Sequence, residues 1–161
     1  MLTVLATGAT GLVGSRFVEM YADEYQVANM DLTTGVDITN KESIEKFVKE
    51  NSADTMIHLA AFTDTNRAHA ESGDKSGLCY QVNVEGTRNI AEVCKAHGIH
   101  LIHVSTDFVF DGKKDSPYTE DDAPTPIEWY GETKAIAEEV VEESGASYTI
   151  ARISYPYRKE F

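Results

Sequence analysis

Residues 129–138 of the chain read WYGETKAIAE, and within them Tyr130 and Lys134 stand four apart. On a helix that spacing puts both side chains on one face, so a phenol and an ammonium can converge on one ligand. An ammonium beside a phenol favours the phenolate. It lowers a pKa that starts at about 10 and lets the tyrosine exchange a proton with a carbonyl or alcohol oxygen near neutral pH. Upstream, STDFVFDG (105–112) opens with Ser105 and Thr106, and a hydroxyl from either could hold the same oxygen. Alone, a Y-x-x-x-K pair reads as an exposed tyrosine and a solvated lysine. Its chemical meaning comes from a second feature near the other end of the chain.

That feature is TGATGLVG (7–14), with Gly8, Gly11 and Gly14 directly after the apolar run LTVLAT and directly before an amphipathic stretch. Glycine tolerates positive φ and lets another backbone or a ligand approach closely, so glycines at a strand-to-helix junction suggest a phosphate cradle. In that context the loop reads as dinucleotide-binding, with backbone N–H groups and the helix N-terminus facing a pyrophosphate. Asp31 falls at the expected end of the next strand, 17 residues after Gly14, where an acidic side chain can accept hydrogen bonds from an adenosine ribose. A carboxylate there repels a 2′-phosphate, and residues 30–36 hold no Arg or Lys to offset it. NAD is therefore expected over NADP. The plainer alternative is that Asp31 starts a turn.

These groups need elements to position them. Apolar periodicity predicts strands over 2–7, 25–30, 55–61, 99–106 and 147–154, and helices over 12–24, 41–51, 76–97 and 129–144. Thr39 or Asn40 of DITN could cap the second helix, and Gly98 supplies a C-terminal stop to the third. Residues 62–75 and 107–128 read as mostly loop. Strands alternating with helices at this spacing predict an α/β fold, a Rossmann-like doubly wound parallel sheet covered on both faces. The last residues, YPYRKEF, follow a strand without the elements that would cover it. The expectation is one domain over 1–161 that belongs to a longer protein, with no C-terminal substrate domain present.

Fourteen Lys+Arg against 27 Asp+Glu leave a formal net charge of −13, which opposes nonspecific binding to nucleic acid or an anionic membrane. No apolar run approaches the roughly 20 residues that cross a bilayer, and no basic signal-peptide region opens the chain, so a cytoplasmic location is expected. Cys79 and Cys94 make neither a metal spacing nor a disulfide framework. The five histidines suggest no metal site. His58 and His103, in predicted strands, read as core residues.

TGATGLVG, Asp31, DITN with Asp37, HLAA (58–61), VNVEGTRN with Asn83, STDFVFDG and YGETK run in the order found in the extended short-chain dehydrogenase/reductase family. Nearly the whole chain resembles that family, and the DIT, VNVEGTRNIAEVC and YGETKAIAEE segments are most similar to its dTDP-4-dehydrorhamnose reductase branch. Phe108 stands where that branch more usually has tyrosine. The resemblance implies hydride transfer at a nicotinamide, with Tyr130 as proton donor or acceptor, Lys134 on the nicotinamide ribose and Thr106 as the hydroxyl partner. It also implies that Gly8, Thr10, Gly11, Leu12, Val13 and Gly14 surround the pyrophosphate and that Asp37 and Ile38 lie near the adenine. Leu59, Ala60, Ala61 and Ser105 would line the cofactor groove, with Asn83 grouped among these positions as a structural support.

The expected activity is reduction of the 4-keto group of a nucleotide-linked 6-deoxysugar by a homodimer using NADH, with NADP possible. Two alternatives are a nucleotide-sugar epimerase or dehydratase that recycles its NAD, and a non-catalytic dinucleotide-binding regulatory subunit.

Overall fold

The computed structural model describes residues 1–157. Five strands, β1 (Leu2–Thr7), β2 (Tyr25–Met30), β3 (Thr55–His58), β4 (His100–Thr106) and β5 (Tyr148–Ile153), pair in parallel in the order β2-β1-β3-β4-β5. The chain steps outward from β1 to β2, then crosses back to place β3 on the other side of β1. The sheet order reverses there, and such a switch point opens a crevice at the C-terminal strand ends. The glycine turn after β1, Asp31 after β2, Ala60 after β3 and Thr106 at the end of β4 all lie at that edge.

The helices are α1 (Leu12–Met20), α2 (Lys41–Glu50), α3 (Thr65–Ala70), α4 (Leu78–Tyr80), α5 (Thr87–His97) and α6 (Trp129–Glu143). On one sheet face Leu5, Met30, Met56 and Leu101 pack beneath Ile44 and Val48 of α2, Ile90, Val93 and Cys94 of α5, and Val141 of α6. A second cluster joins Ala68, Cys79, Tyr80, Val84, Trp129 and Val140 between α3, α4 and α6. The opposite face is covered less evenly. There α1 lies across β1 and β2, with Phe17 stacked against Tyr25, while Ile57, Ile102, Val104, Ala151 and Ile153 are only half-buried.

Several boundaries differ from the sequence expectation for physical reasons. Asn40, not Thr39, caps α2, and its side chain accepts from the Glu42 and Ser43 N–H groups. The first helix stops at Met20, and β3 stops at His58. Within 62–75, Asp64 accepts from the Arg67 N–H and starts α3. The segment TNRAHA buries only Ala68, so it carries no apolar periodicity to betray a helix. The single helix expected over 76–97 is interrupted by a π-turn at Gln81–Gly86, whose extra residue per turn changes the side-chain phase midway.

One ion pair fastens α6 to the sheet edge. Arg152 on β5 grips Glu138 through Nε at 3.0 Å and Nη2 at 2.7 Å, and its guanidinium stacks over Phe110. The two ends are unequal, because the Glu138 side chain is 3% exposed and that of Arg152 is 23%. Arg152→Leu strands a buried carboxylate and is expected to cost about 3 kcal/mol, whereas Glu138→Leu leaves a cation that can reach water and costs less. Urea unfolding of both variants checks the order, and equal costs would show that the pair's burial does not matter.

Candidate functional site

The three glycines of the N-terminal turn are not equivalent. Gly8 takes φ +65°, and a Cβ on it would lie 2.9 Å from the Ala60 backbone nitrogen. At Gly14 a Cβ would collide with the Gly8 carbonyl oxygen and sit 2.7 Å from the Ala9 Cα. Both are therefore required by the fold itself. Gly11 has ordinary extended backbone at the N-cap of α1, and a Cβ there would meet only the Gly8 carbonyl, at 3.2 Å. Its missing side chain serves the space in front of it. No side chain caps α1, so its first-turn N–H groups and positive dipole end are available to an anion.

That space is a groove of about 970 Å³ along the C-terminal strand ends, a size suited to a large cofactor. Gly8, Thr10, Gly11, Leu12, Val13 and Gly14 line one wall. Asp31, Asp37 and Ile38 close one end, Leu59, Ala60 and Ala61 form the floor, and Ser105, Thr106, Tyr130 and Lys134 stand at the far end.

Asp31 does two things at once. Its carboxylate accepts from the Thr33 N–H at 2.8 Å, the Thr33 hydroxyl, Asn29 Nδ2 at 2.8 Å and Thr10 Oγ1 at 3.1 Å, capping a 3-10 turn at Leu32–Thr34. Partial burial works against the charge, but these hydrogen bonds outweigh it and hold the carboxyl below its usual range. Starting a turn and presenting a fixed anion to the groove are thus the same arrangement. Asp37 caps its own turn by accepting from the Thr39 N–H and hydroxyl.

A directed chain of hydrogen bonds fixes the groove floor. The Thr7 hydroxyl accepts from the Leu59 and Ala60 N–H groups, both at 3.1 Å, so its own proton goes to His58 Nδ1 at 2.7 Å. His58 must then donate through Nε2 to the Thr87 hydroxyl at 3.0 Å, which donates to the Asn83 carbonyl at 2.7 Å. The Asn83 side chain closes the circuit on Phe62, accepting from its N–H at 2.8 Å and donating to its carbonyl at 3.2 Å. Segment 59–62 is therefore gripped at both ends. Asn83 is buried behind the groove wall and does not line it, so the grouping of Asn83 with cofactor-facing residues is corrected to the supporting role.

At the far end Tyr130 packs edge-on to Phe108 with ring centroids 5.7 Å apart. Gly131 lets α6 come this close, since a Cβ there would collide with the Phe108 carbonyl oxygen. Thr106, at the end of β4, donates its hydroxyl to Asp107 Oδ1 at 3.2 Å. Burial raises the Tyr130 pKa, and the Thr106 hydroxyl only partly opposes it. The phenol is therefore protonated near neutral pH, contrary to the expected depression. The reason is visible in Lys134, which is wholly buried and donates to the Val104 carbonyl at 2.9 Å and towards His103 Nε2 at 3.3 Å. Burial pushes Lys134 down to about 8, with Glu138 resisting the shift.

The remaining sequence candidates lie elsewhere. His97 pairs with Glu45, His100 bonds Ser147 and Thr149, and His69 sits on α3. Both cysteines are free and buried, and burial pushes the Cys94 thiol up to about 12. Among the described residues no cluster of metal-ligating side chains occurs and no helix is long and apolar enough to cross a membrane. The His58 circuit, the Glu138–Arg152 pair and Gly131 escaped the sequence reading. Glycine inside a helix between Tyr130 and Lys134 was the one available signal of close packing.

A parallel sheet with a glycine turn at its switch point, and a Thr-Tyr-Lys group at the other end of the same groove, defines a Rossmann-like domain of the extended short-chain dehydrogenase/reductase class. A family model described as the RmlD substrate binding domain matches residues 2–160, and the chain belongs to that family. The dTDP-4-dehydrorhamnose reductase of Aggregatibacter actinomycetemcomitans is 33% identical over 159 residues, 98% of this chain and 52% of that protein. The crystal structure of dTDP-4-dehydrorhamnose reductase from Bacillus anthracis str. Ames, in complex with NADP, shares 34% identity at a TM-score of 0.88, covering 98% of this chain and 55% of that one. The NAD complex of UDP-glucose 4-epimerase from Thermus thermophilus is 25% identical at a TM-score of 0.80, covering 94% of this chain and 54% of that one. The chain spans about half the length of the curated relatives it matches.

The two buried histidines make stability depend on pH. Burial, reinforced by the Lys134 charge, drives His58 down to about 3 and His103 well below its ordinary value. An unfolded histidine protonates near pH 6.5, so below that the unfolded chain binds protons that the folded chain refuses. Stability from this source is complete above about pH 6.5 and falls by about 1.4 kcal/mol per pH unit per histidine as the pH drops. Urea unfolding between pH 7 and pH 5 measures the slope, which a variant lacking one histidine should roughly halve. A flat profile would contradict burial of neutral imidazoles.

Proposed function

We propose that this chain binds NAD(P) in the groove and carries the cofactor- and proton-handling part of a reductase acting on the 4-keto group of a nucleotide-linked 6-deoxysugar. The observation that carries the reading is the position of Thr106, Tyr130 and Lys134 at one end of the groove that starts at the uncapped N-terminus of α1. The donor set fits a dinucleotide. First-turn N–H groups beside Gly11 would hold the pyrophosphate, Asp31 the adenosine ribose in place of the Thr10 and Thr33 hydroxyls, and Lys134 the second ribose. The reading takes residues 1–161 as the NAD(P)-binding domain and places sugar binding in the additional length of the relatives. It includes a homodimer through the helices around 76–97 and 129–144, for which sedimentation equilibrium should give about twice 17.8 kDa.

A nicotinamide held at this end of the groove would supply the hydride for the keto carbon. Tyr130, kept protonated by burial, gives its proton to the oxygen of that carbonyl, and the Thr106 hydroxyl, turning from Asp107 Oδ1, donates a hydrogen bond to the same oxygen. Phe108, packed edge-on to Tyr130, fixes the orientation of the ring that gives the proton. Asp31, held ionised by its four donors, disfavours a ribose 2′-phosphate, so NADH is expected to bind more tightly than NADPH.

Fluorescence titration with NADH and NADPH tests the cofactor reading. Gly11→Ala should fold with less than about 1 kcal/mol lost yet weaken NADH at least tenfold, whereas Gly14→Ala should lose stability outright. NADH binding unchanged in Gly11→Ala would remove the groove as the cofactor site. For turnover, Tyr130→Phe is expected to slow consumption of NADH at 340 nm by about 10²- to 10⁴-fold with a 4-keto nucleotide sugar. Full activity in that variant would sink the assignment, and product formation with no net change in absorbance would indicate hydride recycling.

A further inference from the structure

Behind Lys134 lies a buried histidine that the proposed chemistry does not use. His103 is fully buried on β4, facing α6, and its ring lies 5.3 Å from that of His58. Its Nε2 sits 3.3 Å from Lys134 Nζ. An ammonium has protons to give and no lone pair to accept with, so Nε2 must be the unprotonated nitrogen. The imidazole proton is then on Nδ1, which is buried with no hydrogen-bond partner among the described residues. A buried donor left unsatisfied destabilises a fold, so packing alone would favour an apolar side chain at this position. His58, by contrast, is fixed as the Nε2–H form by the Thr7 and Thr87 hydroxyls. Two neighbouring imidazoles, tilted by 38°, thus hold opposite tautomers, one serving the groove floor and the other serving the lysine.

We propose that His103 is a positioning residue for Lys134, which it holds as an acceptor through Nε2 in the Nδ1–H tautomer. With the Val104 carbonyl it occupies two of the three ammonium protons and leaves the third for the groove. The inference rests on the reading of Lys134 as a group that faces the cofactor. The other titratable groups that act on this pair are His58 on β3 and Glu138 on α6, while Cys79, Asp107 and Glu128 face Tyr130, one helical turn from Lys134. Of these, Glu138 opposes the loss of the Lys134 charge and His58 is neutral. An acceptor on the charged form of an amine favours that form, so removing His103 should make Lys134 easier to deprotonate.

Two measurements on the protein without cofactor test this directly. Long-range ¹⁵N–¹H correlation spectra of ¹⁵N-histidine protein at pH 7 should show His58 protonated on Nε2 and His103 on Nδ1. His103 in the Nε2–H form would overturn the proposal. In protein labelled at lysine Cε, with Lys134→Met to assign the signal, the Lys134 titration midpoint should fall by about one pH unit in His103→Leu. His103→Gln, whose amide oxygen can accept in place of Nε2, should restore it. An unchanged midpoint in a folded His103→Leu would refute the positioning role, and the wild-type tautomer decides the matter if that variant does not fold. NADH titration of His103→Leu then joins the inference to function, with at least a tenfold loss expected and His103→Gln recovering. Failure of the wild-type chain to bind NADH would count against the proposed function alone, because the tautomers and the Lys134 midpoint are read without it.

Discussion

The hydroxyl of Thr7 is the point on which the groove depends. It is the last residue of the first strand, and it faces the covered side of the sheet. Its oxygen takes two backbone protons from the segment after β3 while its own proton is committed to His58. That arrangement sets how near segment 59–60 stands to the glycine turn, and because Ala60 is held there only glycine fits at position 8. A valine would match the shape of Thr7, and the Leu59 N–H would keep the Thr7 carbonyl at 3.2 Å, but the Ala60 N–H and an imidazole nitrogen would be left unsatisfied in a dry interior, where each such loss is expensive. The glycine turn, the floor and the helix carrying Asn83 are consequently not independent features. They share one chain of donors and acceptors whose direction is fixed at every link.

Much of this could be read from the sequence, and the reasons are specific. Gly8, Gly11 and Gly14 follow an apolar run at a spacing that has few structural uses, and Tyr130 and Lys134 share a helix face by simple periodicity. The parallel sheet required only that alternating elements pack as crossovers, whereas its order β2-β1-β3-β4-β5 was not legible. What escaped depended on partners distant in sequence. Nothing near His58 indicates that Thr7 and Thr87 will meet its two nitrogens, 51 and 29 residues away. The π-turn was likewise hidden, because a run with Leu78, Val82, Ile90 and Val93 looks like one helix until its phase is measured in space. For α3, Asp64 supplies the cap but TNRAHA carries no apolar stripe, so a pattern based on burial passes over it.

The far end of the groove shows why spacing alone misjudges electrostatics. Four residues along a helix suffice to put an ammonium and a phenol on one side, and the sequence supports no more than that. Whether the ammonium acts on the phenol depends on where its protons go. Here the Val104 carbonyl and His103 compete for them, and both groups are removed from water. Burial therefore moves the two groups in opposite senses, the phenol towards its neutral form at higher pH and the amine towards its neutral form at lower pH.

The unevenly covered sheet has a consequence for how the chain behaves in solution. Ile57, Ile102, Val104, Ala151 and Ile153 form a half-buried apolar strip on the α1 side, a surface inclined to self-association. Against it stands the net charge of −13, which makes copies of the chain repel one another. That repulsion reaches only about 10 Å at 0.1 M salt and about 3 Å at 1 M. Colloidal stability of this chain is thus a contest between a short-ranged sticky strip and a screened acidic shell, and ionic strength decides which prevails.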